Sequence, residues 1–460
     1  GLDLVQIRSV TTGGDEDGDP GTFWQCCNPE YLTQDTEGVQ DESELVDRFG
    51  AAVAVGDFDG DGVDDLAVGV PGEDIGGVDG AGAVQVFYGP DFDDDEVWTL
   101  GVLGRGLAAG DAFGEELEVG DFDGNGYDDL AVGVSARDTT SYQQAGAVQV
   151  IYGSESGLRP QNNQFWSMSD VGVSGPETLS LLGLSLAAGD FDDDGFDDLA
   201  MSGRETVEET GLVGHVYVLY GLGIGLAPSG KQVWTEGTVG VAGRSSSPST
   251  NFGNDLAAGD FDGDGTEDLG IGAYSTNISD TETFFAGALY VLYGDDNGLS
   301  TSGSQYWHQD SPGIVGTAAH GDRFAGALCT GDFDRNGISD IAIAIGGKDV
   351  GAASDAGAVQ IIYGSDSGLT GNGSQEWHQD SPGIADTAET LDLFASGAGG
   401  NSLAAADFNG DGGDDLAIGV PMEDLEVSNA GLIHVLYSNW EIFDDGFESG
   451  DTGSWSPVIP

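Results

Sequence analysis

Short apolar runs separated by Gly- and Asp-rich turns recur along the whole chain, and no long stretch keeps the 3.6-residue period of an amphipathic helix. In the clearest unit, Ala51–Gly56 leads into a polar loop, Asp65–Val70 leaves it, and Val84–Gly89 (VQVFYG) closes on an aromatic-Gly turn. The last run returns as Val148–Gly153, Val216–Gly221, Leu289–Gly294, Val359–Gly364 and, with Ser438 replacing Gly, Ile433–Ser438. A further run carries a Trp in five units: Trp98, Trp166, Trp234, Trp307 and Trp377. Four short strands per unit, repeated six times, predict an all-β chain folded as a β-propeller of four-stranded antiparallel blades. The outer Trp residues are expected to pack between blades, large apolar bodies with one polar handle.

A ring needs a closing strand, and spacing suggests one. Glu30–Asp35 precedes Asp57 by the same interval that separates Gln305–Asp310 from Asp332, and both lead through Asp-Arg-Phe, at 47–49 and 322–324. Residues 30–35 are therefore expected to be the fourth strand of a blade whose first three strands lie near 403–437. Closure from both chain ends removes exposed sheet edges. Six blades follow; a seventh, assembled from 1–29 and 440–460, is the alternative. The divisions are an N-terminal arm (1–29), a propeller (30–440) and an acidic tail (441–460).

The loop between the first two strands of each unit is a nonapeptide with Asp or Asn at positions 1, 3, 5 and 9 and Gly at position 6. Oxygen side chains on alternate residues converge when the backbone curls, and Gly permits the bend. A hard cation requires this, because Ca²⁺ takes about six to eight oxygens at roughly 2.3–2.6 Å. The candidate side-chain ligands are Asp57, Asp59, Asp61 and Asp65; Asp121, Asp123, Asn125 and Asp129; Asp190, Asp192, Asp194 and Asp198. Next come Asp260, Asp262, Asp264 and Asp268; Asp332, Asp334, Asn336 and Asp340; and Asp407, Asn409, Asp411 and Asp415. Position 7 offers its backbone carbonyl: Val63, Tyr127, Phe196, Thr266, Ile338 and Gly413. Solvated Asp-Gly turns are the plainer reading of any single copy. Six copies with no ligand position lost favour metal, and about six Ca²⁺ ions are expected. Mg²⁺ fits less well, since it prefers a tighter octahedron and keeps its waters.

Charge narrows the partners. The formal net charge is −71, from 82 acidic and 11 basic residues among 460. That field repels phosphate backbones and anionic lipid surfaces, so no nucleic-acid partner is expected. No apolar run is long enough for a spanning helix, so no membrane insertion is expected. The chain begins at Gly1 rather than Met, which suggests a removed leader. Weak calcium sites fill where Ca²⁺ is millimolar, so an extracellular location, secreted or at the cell surface, is expected. Cys329 reads as a small buried hydrophobe; Cys26 and Cys27 are adjacent and their state stays open.

These residues resemble the FG-GAP repeat family, which includes the propeller of integrin α subunits. The resemblance rests on Phe49-Gly50 and Phe113-Gly114, the Asp-x-Asp-x-Asp-Gly-x-x-Asp loops, Gly69 to Pro71, Gly419 to Pro421, and the Gly82 to Val84 strand start. It implies a calcium-stabilised extracellular propeller engaged in adhesion or protein binding. Integrin-type propellers have seven blades with metal in only some; here six repeats are evident and every one carries the loop. No Gly-x-Ser-x-Gly elbow, His-Glu-x-x-His motif or phosphate-cradling loop occurs, and the function expected is non-catalytic. His308 and His378 sit in duplicated Trp-His-Gln-Asp segments without an acid–Ser partner. The expected partner is a protein or glycan. The alternative is a self-assembling subunit of a surface layer or filament, joined to other copies through the terminal segments.

Overall fold

Sequential hairpins account for nearly all of the architecture. The computed structural model describes residues 5–7, 30–34, 36, 43–44, 46–90, 95–138, 144–173, 179–207, 211–238, 240, 251–278, 284–384, 387–396, 402–423 and 432–438. It is a six-bladed all-β propeller, and no α-helix occurs among the described residues. The first blade comprises β3 (Val53–Gly56), β4 (Asp65–Val70), β5 (Ala83–Phe87) and β6 (Asp95–Trp98). The second comprises β7 (Leu117–Gly120), β8 (Asp129–Gly133), β9 (Ala147–Tyr152) and β10 (Arg159–Ser167). The third runs β11 (Leu186–Gly189), β12 (Asp198–Val207), β13 (Gly211–Tyr220) and β14 (Ala227–Trp234). The fourth runs β15 (Leu256–Gly259), β16 (Asp268–Ala273), β17 (Ala288–Tyr293) and β18 (Ser300–Trp307). The fifth runs β19 (Phe324–Gly331), β20 (Asp340–Ile345), β21 (Ala358–Tyr363) and β22 (Thr370–Trp377). In the sixth, β23 (Leu403–Ala406), β24 (Asp415–Val420) and β25 (Leu432–Leu436) are described. All ladders are antiparallel, each strand pairing with the next in sequence.

In the first five blades the second and third strands are largely buried on both faces because each sheet is sandwiched between neighbours. Asp65–Val70, Asp268–Ala273 and Asp340–Ile345 have no exposed residue. Small residues on these strands let sheets approach closely, and Val, Leu and Ile fill the space between; the core clusters accordingly draw on two adjacent blades each. Trp98 and Trp166 are buried in those clusters, and Trp234, Trp307 and Trp377 pack half-buried against them, as the packing reading expected. Cys329 is half-buried beside the core shared by the fifth and sixth blades, with a free thiol.

Tyr hydroxyls stitch successive blades. Tyr88, Tyr152, Tyr220 and Tyr293 accept the backbone N–H of Leu158, Leu226, Leu299 and Leu369 in the next blade, at 3.0 to 3.3 Å. Each Leu follows a glycine whose absent Cβ leaves room for the hydroxyl; at Gly225 (φ +93°) a Cβ would collide with Tyr152 Oη. Gly225→Ala is expected to cost about 3 kcal/mol or more, from left-handed strain plus displacement of a buried ring. Urea denaturation in Ca²⁺ measures this, and an unchanged midpoint would remove the stitch from the account.

The closing strand departs from expectation. A strand does form at β2 (Glu30–Leu32), but it pairs with β1 (Val5–Ile7) in a separate two-stranded sheet, and no described ladder joins it to β25. The reason is local: Val5–Ile7 offers β2 an antiparallel partner of its own. The remainder of the arm, with Cys26 and Cys27, and the tail 441–460 lie outside the described residues.

Candidate metal centres

Each nonapeptide joins the first and second strands of a blade, so all six loops lie on one face of the propeller. Their shape is set by the loop's own hydrogen bonds. The position 1 carboxylate accepts two backbone N–H groups: Asp57 from Asp61 and Gly62, Asp121 from Asn125 and Gly126, Asp190 from Asp194 and Gly195. Asp260, Asp332 and Asp407 repeat the pattern. Position 5 accepts the N–H of position 7, as Asp61 does from Val63 and Asn125 from Tyr127. Position 6 must be left-handed, and the six glycines there have φ between +81° and +97°.

The ninth residue performs a second task. Asp129 accepts the N–H of Phe122 at 3.0 Å and of Gly153 at 2.8 Å, tying the loop to the end of the third strand. Asp65, Asp198, Asp268 and Asp340 make the same two bonds, to Phe58 and Gly89, Phe191 and Gly221, Phe261 and Gly294, and Phe333 and Gly364. Asp415 accepts from Ser438. Burial raises these carboxyls: Asp65 to about 6, Asp340 to about 7, and Asp129, Asp198 and Asp268 to about 8. Neighbouring aspartates push the same way, an arrangement of stacked negative charge that a cation relieves.

In five loops three carboxylates converge so that one oxygen from each lies within 4.8 Å of the others. The groups are Asp57, Asp59 and Asp61; Asp121, Asp123 and Asp129; Asp190, Asp192 and Asp194; Asp260, Asp262 and Asp268; and Asp332, Asp334 and Asp340. Asp123 Oδ1 and Asp192 Oδ1 are buried without a hydrogen-bond partner, which water-exposed turns would not leave. An all-oxygen set with orphaned carboxylate atoms fits a hard divalent cation. Arg159 approaches Asp123 Oδ2 at 3.4 Å and leaves that loop's other oxygens available.

The sixth loop is arranged otherwise. Arg335, at position 4 of the fifth loop, forms an ion pair with Asp411 and donates to Ser438. Asn409 turns its amide nitrogen toward Asp415, at 3.3 Å. A guanidinium thus reaches an oxygen that a metal ion would use, and an Asn replaces the third-position carboxylate.

Two features went unread in the sequence. The aromatic at position 2 is fully buried in the next blade: Phe58, Phe122, Phe191 and Phe261 have no exposed surface. The residue at position 8 receives the preceding loop. Asp128, Asp197 and Asp414 each accept the N–H of position 1 one blade earlier, from Asp57, Asp121 and Asp332. The repeated Asp-Phe and Asp-Asp pairs were the available signal; their nonlocal partners were not.

The sequence model of a family described as FG-GAP repeat matches residues 49–87, 113–151 and 399–436. The chain carries FG-GAP repeats and is similar to integrin alpha subunits. Among curated relatives of this FG-GAP protein, the phosphatidylinositol-glycan-specific phospholipase D of Rattus norvegicus is 35% identical over 208 residues, which is 45% of this chain and 23% of the relative. Integrin alpha-PS5 of Drosophila melanogaster is 34% identical over 168 residues, 36% of this chain and 16% of the relative. Integrin alpha-V of Gallus gallus is 30% identical over 256 residues, 54% of this chain and 22% of the relative. The FG-GAP chain therefore spans less than a quarter of the length of these relatives.

Proposed function

We propose that this FG-GAP propeller is a non-catalytic, calcium-stabilised interaction module that works outside cells and binds a protein partner in adhesion. The observation that carries the reading is a set of apolar side chains on the face opposite the metal loops. Val46, Leu179, Phe284, Phe285, Val315 and Leu391 are all exposed there, on connections between second and third strands or between blades. Val46, Leu179, Phe285 and Leu391 are held in left-handed backbone, a conformation that costs about 1–3 kcal/mol in residues other than Gly. Exposed hydrophobes held in strained backbone suit a docking face more than a solvated one. Phe284 and Phe285 pack edge-on against His320, an aromatic group on that face.

Ca²⁺ at the five carboxylate clusters fastens the first hairpin of each blade and neutralises repulsion there; the sixth loop binds its ion only by displacing Arg335. The integrin relatives support the interaction reading. The phospholipase relative matches over a minor part of its length, and the chain's own residues offer carboxylates already placed for metal. Adhesion of cells or ligand-coated beads to immobilised protein in Ca²⁺ tests the reading. A Phe284→Ser, Phe285→Ser double variant with unchanged melting temperature is expected to reduce adhesion at least tenfold. Equal adhesion by both proteins, or none by either, would reject it. Self-assembly through the terminal segments is the second reading, and reversible association in sedimentation at high concentration would favour it.

A further inference from the structure

Loops of neighbouring blades fit one another in size, with position 4 of one loop set against position 7 of the next. At the first junction Gly60 lies against Tyr127, at the second Gly124 against Phe196, and at the fourth Gly263 against Ile338. A Cβ on any of these glycines would run into the facing side chain, and all three are left-handed, at φ +72°, +64° and +72°. The fifth junction reverses the sizes. Arg335 (φ +62°) stands at position 4, and Gly413 stands at position 7 of the sixth loop. A Cβ on Gly413 would collide with Arg335 Nε and Cγ, so the missing side chain is the room the arginine occupies.

Other departures of the sixth repeat meet at the same place. The third strands of the first five blades run out to Gly89, Gly153, Gly221, Gly294 and Gly364. The sixth runs out to Ser438, whose Oγ accepts from Arg335 Nη2 at 2.9 Å and from Nε at 3.3 Å. Position 3 is Asp59, Asp123, Asp192, Asp262 and Asp334 in the first five loops, and Asn409 in the sixth. Asp411, the position 5 carboxylate, is ion-paired with the guanidinium. The sixth loop nevertheless keeps its curl. Asp407 accepts the N–H groups of Gly410, Asp411 and Gly412, as Asp260 accepts those of Gly263, Asp264 and Gly265.

We propose that the Arg335 guanidinium is the resident cation of the sixth loop. It holds the place given to Ca²⁺ in the other five loops, and it ties the fifth blade to the sixth without metal. The proposal rests on the calcium reading of those five loops. Guanidinium suits the seat chemically: it stays charged across the pH range of folded proteins, and its planar fork bonds a carboxylate and a hydroxyl at once. Ca²⁺ needs about six or more oxygens around one point, and a guanidinium on Asp411 takes one of them away. Arg159 is a useful contrast. It approaches Asp123 from β10 of the same blade, at 3.4 Å, and leaves the cluster of Asp121, Asp123 and Asp129 gathered. Arg335 instead crosses from one blade to the next, into a space that Gly413 and Ser438 shape for it. The junction between the fifth and sixth blades therefore keeps its fastening when calcium is withdrawn.

Calcium counted on the whole chain, by calorimetric titration and by elemental analysis after dialysis, is the first readout. The wild type is expected to hold five ions, one for each carboxylate cluster. Arg335→Gly combined with Asn409→Asp gives the fifth and sixth loops the residues that the first, second and fourth loops carry at positions 4 and 3. This double variant is expected to hold six ions. The second readout is amide hydrogen exchange in excess chelator. There Arg335→Gly is expected to lower the protection of Gly413 and Ser438, whose N–H groups bond Asp411 and Asp415, about tenfold relative to wild type. Five ions in the double variant, or unchanged protection at Gly413 and Ser438, overturns the proposal. Six ions in the wild type overturns it alone, whereas no bound calcium in either protein overturns the calcium reading and the proposal together.

Discussion

Excess chelator is expected to lower the melting temperature by up to about 13 °C relative to millimolar Ca²⁺. An ion present at 100 times its dissociation constant stabilises by about 2.7 kcal/mol, so five independent clusters contribute on the order of 13 kcal/mol at most. With an unfolding entropy of about 2.1 cal/mol/K per residue, each kcal/mol moves the midpoint of a 460-residue chain by about 1 °C. The effect also has a pH signature. Asp129, Asp198 and Asp268 are raised by burial to about 8 in the folded, metal-free chain. The unfolded chain releases those protons near pH 4, at roughly the model-peptide value. Without metal, stability therefore falls as pH rises from about 4 to about 8, because the folded state must give up protons it holds more tightly. Bound cation requires the carboxylates deprotonated, so its contribution grows over the same window. The gap between calcium and chelator melting curves is expected to widen from about pH 5 to about pH 8. Coincident curves, or a gap that narrows, would sink the metal assignment.

The next largest effect separates two aspartates of a single loop. Asp198→Ala is expected to cost about 2–4 kcal/mol even in chelator, because it strands the buried N–H groups of Phe191 and Gly221. Asp194 is exposed and accepts only the N–H of Phe196, so Asp194→Ala in chelator stays within about 1 kcal/mol of wild type. In Ca²⁺ both variants lose one ion, read as a drop of one in calorimetric stoichiometry. The ninth position is thus a staple as well as a proposed ligand, while the fifth is a proposed ligand alone. If Asp194→Ala were as damaging as Asp198→Ala without metal, the loop would depend on its carboxylates for folding and the division of labour would be wrong.

Much of this was legible before any coordinates. The loops reveal themselves because a cation's demand for alternating oxygens and a left-handed Gly is met within nine consecutive residues. Third strands such as Val148–Gly153 reveal themselves because burial on both faces leaves a continuous apolar run. Three features were not legible. Arg335 reaching Asp411 depends on two loops being neighbours in space. Phe58 burying itself in the following blade depends on how sheets stack. The pairing of Glu30–Leu32 with Val5–Ile7 joins segments far apart in the sequence, which spacing arithmetic does not reveal.

By itself the chain's order of residues determined the strand repeat, the six Asp-rich loops and the likeness to FG-GAP repeats, since each is written in short stretches of consecutive residues. Only the tertiary structure decided which loops gather three carboxylates and which one admits an arginine. Those outcomes turn on packing between sheets some seventy residues apart, where a side chain's worth depends on what the neighbouring blade places opposite it.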